Sequence, residues 1–132
     1  QGSRCVHRQL SHTPFYFCLS YKFLFLANIV RYAPVKVAVM HIPAMSGEHS
    51  WYGEKRANEM LVPILNKAGV DIMLSGHYHR HVYIEEGACG NKFPILANDN
   101  VSRVDFYTEG KGYQLRIYDM EGKLTHSYDV EK

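Results

Sequence analysis

Two short apolar runs, each leading into histidine, bracket a helical pattern, and this arrangement constrains the fold more than any other feature of the sequence. Val35 to His41 reads VKVAVMH, a β-branched run preceded by Pro34 and ending on an imidazole. Val70 to Leu74 reads VDIML and continues directly into Ser75-Gly76-His77-Tyr78-His79. Between them, Ile42 to Tyr52 carries Pro43, Ser46, Gly47 and Ser50 and reads as a loop. Glu54 to Ala68 then places Ala57, Met60, Leu61, Ile64, Leu65 and Ala68 at helical spacing, which predicts a helix burying that face. Glu54 suits its N-terminal dipole, Gly69 its C-terminal stop, and Pro63 inside it predicts a kink. Strand, helix and strand in this order predict a βαβ unit with parallel strands and a right-handed crossover.

After the second histidine cluster the pattern changes. Val82 to Glu86, Phe93 to Ala97, Ser102 to Tyr107, Tyr113 to Asp119 and Leu124 to Val130 read as short strands, separated by turns such as Glu109-Gly110-Lys111-Gly112 and Met120-Glu121-Gly122-Lys123. The last two are expected to pair as an antiparallel hairpin. Ten tyrosines and six phenylalanines agree with a β-rich interior. The fold class is therefore mixed α/β, one βαβ unit followed by mainly antiparallel strands.

The N-terminal part reads differently. Gln1-Gly2-Ser3 resembles a protease-site and cloning remnant, and residues 4–34 form an apolar segment of their own, leaving 35–132 as the domain. Phe15 to Val30 is apolar over only 16 residues with Lys22 near its middle. A membrane span needs ~20 apolar residues, so no span is expected. Fifteen basic residues against 13 acidic ones give a net charge of +2, which carries no nucleic-acid or membrane-surface signal. Cys5, Cys18 and Cys89 form neither a metal pair nor a disulfide framework and read as ordinary thiols.

The chemistry is carried by histidine, present eight times. In parallel α/β sheets ligands bind beyond the carboxyl ends of the strands. His41 closes one such strand and His77 follows the next, so neighbouring strands would bring them to one rim, with His79 beside them. Imidazoles there can reach a metal at ~2.0–2.1 Å. Gly76 reads as the residue that permits the tight turn after the strand. His81 reads as a flanking residue, and His7, His12 and His126 as surface histidines. Asp71, Glu85, Glu86 and Asp99 do not complete the site: Asp71 precedes its strand, the glutamates suit a solvated strand face, and Asn98-Asp99-Asn100 reads as a turn.

These residues resemble the calcineurin-like metallophosphoesterases, and within them the purple-acid-phosphatase-like branch. The likeness rests on a strand ending in His41-Ile42-Pro43, a loop containing His49, a helix, and Gly76-His77-Tyr78-His79 in the place of the family's G-H-x-H motif. It implies that His41 and His77 bind one metal and His79 the other, and that His49 contacts phosphate or protonates the leaving group. It implies hydrolysis of phosphate mono- or diesters of small molecules by a centre of two divalent or trivalent ions (zinc, iron or manganese). The family's D-x-H, G-D-x-x-D and G-N-H-[DE] motifs have no counterpart here; Cys5-Val6-His7 and Gly90-Asn91-Lys92 do not replace them. The expectation is thus the C-terminal half of an αββα sandwich, inactive alone and binding no metal or one ion weakly. A half-sandwich leaves strand edges and an apolar face open, which implies a homo-oligomer. Two other readings compete. One is a non-catalytic β-rich interaction module with incidental histidines. The other is a cupin-like single-metal protein using His77, His79 and Glu85, against which the βαβ unit argues.

Overall fold

The computed structural model describes residues 32–48 and 50–131. The chain divides into two units, Gln1–Tyr32 and Ala33–Lys132, and the elements below all belong to the second. The remnant at residues 1–3, the apolar run Phe15–Val30, Cys5, Cys18 and His49 lie outside the described residues.

The expected mixed α/β order is present: β1 (Val37–Val39), α1 (Tyr52–Ala68), β2 (Ile72–Ser75), β3 (Val82–Ile84), β4 (Ile95–Ala97), β5 (Arg103–Glu109), β6 (Gly112–Tyr118) and β7 (Leu124–Val130). A mixed sheet runs β1-β2-β4-β3, with β1, β2 and β4 parallel and β3 antiparallel to β4. A second sheet is the antiparallel meander β5-β6-β7, which includes the hairpin expected of the last two strands.

Period-two alternation in the central strands builds three layers. Met73 and Ile95 turn one way and join Val62, Ala57 and Leu65 of α1. Ile72 and Leu96 turn the other way and meet Tyr113, Leu115 and Ile117 of β6, all buried. The mixed sheet is therefore covered by helix on one face and by the meander on the other. Because both faces of β2 and β4 are buried, these strands read as unbroken apolar runs rather than alternating ones. The Tyr113 hydroxyl donates to the Asp71 carbonyl at 3.2 Å, which satisfies its polar end where the layers meet.

The helix departs from expectation at both its start and its face. It begins at Tyr52 because Glu54 occupies the third helical position, where its carboxylate accepts the Trp51 N–H at 2.9 Å. Glu54 is only 1% exposed. The inward stripe runs through the buried Glu54 and Val62 and the half-buried Ala57, Asn58, Leu61 and Leu65. Met60, Ile64 and Ala68, expected inside, face outward, with Met60 53% and Ile64 62% exposed. The stripe is rotated because Glu54 and Asn58 use polar atoms inward: the Asn58 amide donates to the carbonyls of Ala44 (3.1 Å) and Cys89 (3.0 Å). Pro63 is accommodated within the continuous helical span. At the far end Gly69 takes φ +67°, and the N–H groups of Gly69 and Val70 bond to Asn66 and Leu65 carbonyls in a Schellman ending.

Asn91 fixes the connection between β3 and β4. It is buried, donates to the carbonyls of Glu85 (2.9 Å) and Phe93 (2.7 Å), and accepts from the Cys89 N–H (2.9 Å). Replacing Asn91 by Ala removes the hydrogen bonds that its side chain makes to Glu85, Phe93 and Cys89 and is expected to cost about 2–3 kcal/mol. Chemical denaturation of the Asn91→Ala variant, with the slope of the transition unchanged, checks this value.

Candidate functional site

The parallel pairing of β1 with β2 places Ala38 opposite Met73 and Val39 opposite Leu74. The ladder continues beyond both strands: the Met40 N–H donates to the Leu74 carbonyl and the Gly76 N–H to the His41 carbonyl, each at 3.1 Å. Residues that follow the two strands are thus held side by side. His41 Nε2 and His77 Nδ1 lie 3.4 Å apart, with their rings edge-on at 88°. Two nitrogens on one tetrahedral ion, each at ~2.0–2.1 Å, are separated by about 3.3–3.4 Å. The separation of the pair matches that spacing, and it is equally that of a hydrogen bond from one ring nitrogen to the other.

His79 is exposed and stands outside this pair. Among the described residues no group of three His, Cys, Asp or Glu side chains is gathered in an arrangement that could hold a metal. His49, the residue expected to face substrate, lies outside the described residues. His77 and His79 both have left-handed backbone, at φ +76° and +53°, a conformation uncommon for residues with a side chain. Gly76 does not, and a Cβ there would come no closer than 4.0 Å to His41 Nδ1. The tight turn is therefore carried by the histidines and not, as the sequence suggested, by the glycine.

Neighbouring groups pin the turn. The His77 ring lies against the indole of Trp51, centroids 5.6 Å apart and 25° from parallel. The Tyr78 hydroxyl donates to Met45 Sδ at 3.4 Å. Burial, and then the adjoining Glu54 carboxylate, hold the Tyr78 phenol well above its ordinary pKa, so it remains protonated. Arg80 covers the Tyr78 ring at 5.4 Å. Trp51, Glu54 and Tyr78 were not recognised as parts of a site from the sequence. Glu54 three residues after Trp51 was the available signal, since that spacing marks a helix start.

Asp71 and Asp99 are engaged elsewhere. Asp71 sits at the opposite end of β2 and accepts the Lys36 N–H at 2.7 Å. Asp99 closes its own turn, accepting from the Val101 N–H at 3.0 Å and from the Ser102 hydroxyl. That hydroxyl is the main cause of its lowered pKa.

A second histidine group occupies the other end of the same rim. His81 stacks on His126 with centroids 3.8 Å apart, and its Nε2 lies 2.8 Å from the Tyr128 hydroxyl. His81 flanks β3 and His126 is exposed, as expected from the sequence, but their stacking on one another was not anticipated. His126 and Tyr128 share one face of β7 because they are two residues apart, which is the signal that could have revealed them. Burial, then the nearby His126, lowers the His81 pKa, with Asp99 opposing.

Beside His41, a mainly apolar cleft of about 370 Å³ is lined by residues that include Val39, Leu74, Leu96, Asn98 and Val104. Compared with models of known protein families and with curated proteins, the chain gives no match to either. No helix among the described residues is long and apolar enough to cross a membrane.

A histidine whose folded pKa lies below its unfolded value binds fewer protons folded than unfolded, so its contribution to stability falls as pH drops below about 6.5. Thermal melts from pH 7.5 to 5 are expected to show declining stability, with a shallower decline in His81→Phe, which keeps a ring in the stack but cannot titrate.

Proposed function

We propose that His41, His77 and His79 form part of a metal-dependent phosphoesterase centre acting on phosphate mono- or diesters of small molecules, as the resemblance to calcineurin-like metallophosphoesterases implies. The observation that carries this reading is the 3.4 Å approach of His41 Nε2 to His77 Nδ1 beyond the ends of two parallel strands. The three-layer α–β–β arrangement agrees with half of an αββα sandwich. Bound divalent ions would supply charge neutralisation at the phosphoryl oxygens and activation of water.

The chain's own residues have definable parts. His41 and His77 would each give one ring nitrogen to a shared ion, and His79 would give a donor to a second. His49 is the residue we assign to the phosphate and to protonation of the leaving group. Glu54, Asp71 and Asp99 are committed to the helix start, the β1–β2 junction and a turn, and among the described residues no carboxylate joins His41 and His77 in a group that could hold a metal. Alone, this rim is expected to hold one ion weakly and to hydrolyse phosphoesters no faster than background.

The strand β1 forms an edge of the mixed sheet among the described residues, and Val39 on it is 77% exposed. An apolar edge of this kind invites strand pairing, and we include self-association through it in the proposal.

Calorimetric titration with Zn2+ is expected to give roughly one ion per chain, with affinity falling at least tenfold, about 1.4 kcal/mol, in His41→Ala and in His77→Ala. Hydrolysis of p-nitrophenyl phosphate by the same samples should stay at background. Binding that survives both substitutions favours the non-catalytic interaction module instead. Sedimentation is expected to show a dimer or larger species that dissociates in Val39→Asp.

A further inference from the structure

We propose that Trp51 is a positioning residue for His77: its indole is the wall that holds the imidazole edge toward His41, and Gly53 is the space in which that indole lies. The inference rests on the reading of His41 and His77 as a metal-binding pair.

Local helix rules do not account for a tryptophan here. Trp51 is the N-cap of α1, a place that favours Ser, Thr, Asp or Asn, and its side chain makes no capping hydrogen bond. Its backbone N–H is satisfied by Glu54 whatever side chain Trp51 carries. Core packing does not account for it either, since Trp51 is 55% exposed. What the indole does touch is the flat of the His77 ring, at 5.6 Å and 25°.

His77 needs such a support. Its backbone lies at φ +76°, where residues with a side chain are uncommon, so neighbouring contacts must hold the conformation. A free imidazole on that backbone would rotate about its side-chain bonds and lose the edge-on relation to His41. Stacking on Trp51 restricts the rotation and keeps Nδ1 directed at Nε2 of His41. A donor fixed before the ion arrives loses less freedom on binding, which raises affinity without adding a ligand.

Gly53 makes the seat possible. A Cβ added there would overlap Trp51 Cζ3 and fall 2.7 Å from both Cε3 and Cη2. The indole is the part that would yield, and it would leave His77. Alanine also favours helix over glycine, so Gly53→Ala removes the indole from its seat without weakening α1.

The test combines proton NMR of the His77 ring with Zn2+ calorimetry on the full chain. Before metal is added, the indole ring current should move the His77 ring protons upfield of ordinary histidine positions. Trp51→Leu and Gly53→Ala should both remove that displacement and lower Zn2+ affinity tenfold or more, while leaving the melting temperature near that of the unsubstituted chain. Trp51→Phe, which keeps an aromatic face, should retain most of both. Ordinary His77 shifts in the unsubstituted chain overturn the proposal. So does unchanged affinity in Trp51→Leu and Gly53→Ala. If affinity nonetheless falls in His77→Ala, the metal pair stands and only the role of Trp51 fails. If His77→Ala binds as tightly as the unsubstituted chain, the metal reading fails and the positioning role fails with it.

Discussion

The register of β1 against β2 is the constraint on which the rest depends. Pairing Val39 with Leu74 and continuing the ladder through Met40 and Gly76 sets where the chain stands when it leaves each strand. His41 and His77 meet because both leave from matched positions. A slip of one residue would separate them and would also turn Met73 from the helix face toward the meander, exchanging it with Ile72 or Leu74. The burial of both faces of β2 therefore protects the geometry of the rim. Stability and site are determined by the same hydrogen bonds.

Beyond the strands, the rim is kept by side chains that work on backbone. Glu54 satisfies the Trp51 N–H from within the protein, Asn58 ties α1 to Ala44 and Cys89, and the protonated Tyr78 phenol fills the space beside Glu54 and Met45. These contacts hold two left-handed histidine positions separated by one residue, at φ +76° and +53°. Such backbone persists only where its surroundings over-determine it, and it concentrates at functional sites.

The order of elements was legible because hydrophobic period and turn residues are local signals. The strands and the helix of the described residues were readable from runs such as VDIML and from Gly69 at the helix end. The inward face of α1 was not, because hydropathy ranks Met60 and Ile64 above Glu54 and Asn58, whereas the fold uses the latter two for inward hydrogen bonds. Of the site, the meeting of His41 with His77 followed from the rule that parallel strands share a ligand-facing rim. The Trp51–His77 stack and the His81–His126 pair did not. Each joins residues from different elements, and pairing of that kind is set by tertiary register rather than by spacing along the chain.

If the pair is a metal site, His41 and His77 share one ion, and zinc-edge X-ray absorption on the zinc-loaded chain tests this directly. The expected coordination shell has two imidazole nitrogens at ~2.0–2.1 Å, the remainder light oxygen donors, and its imidazole signal is lost in a His41→Ala, His77→Ala double variant. A shell without imidazole, or an imidazole signal that persists in the double variant, would contradict the shared ion.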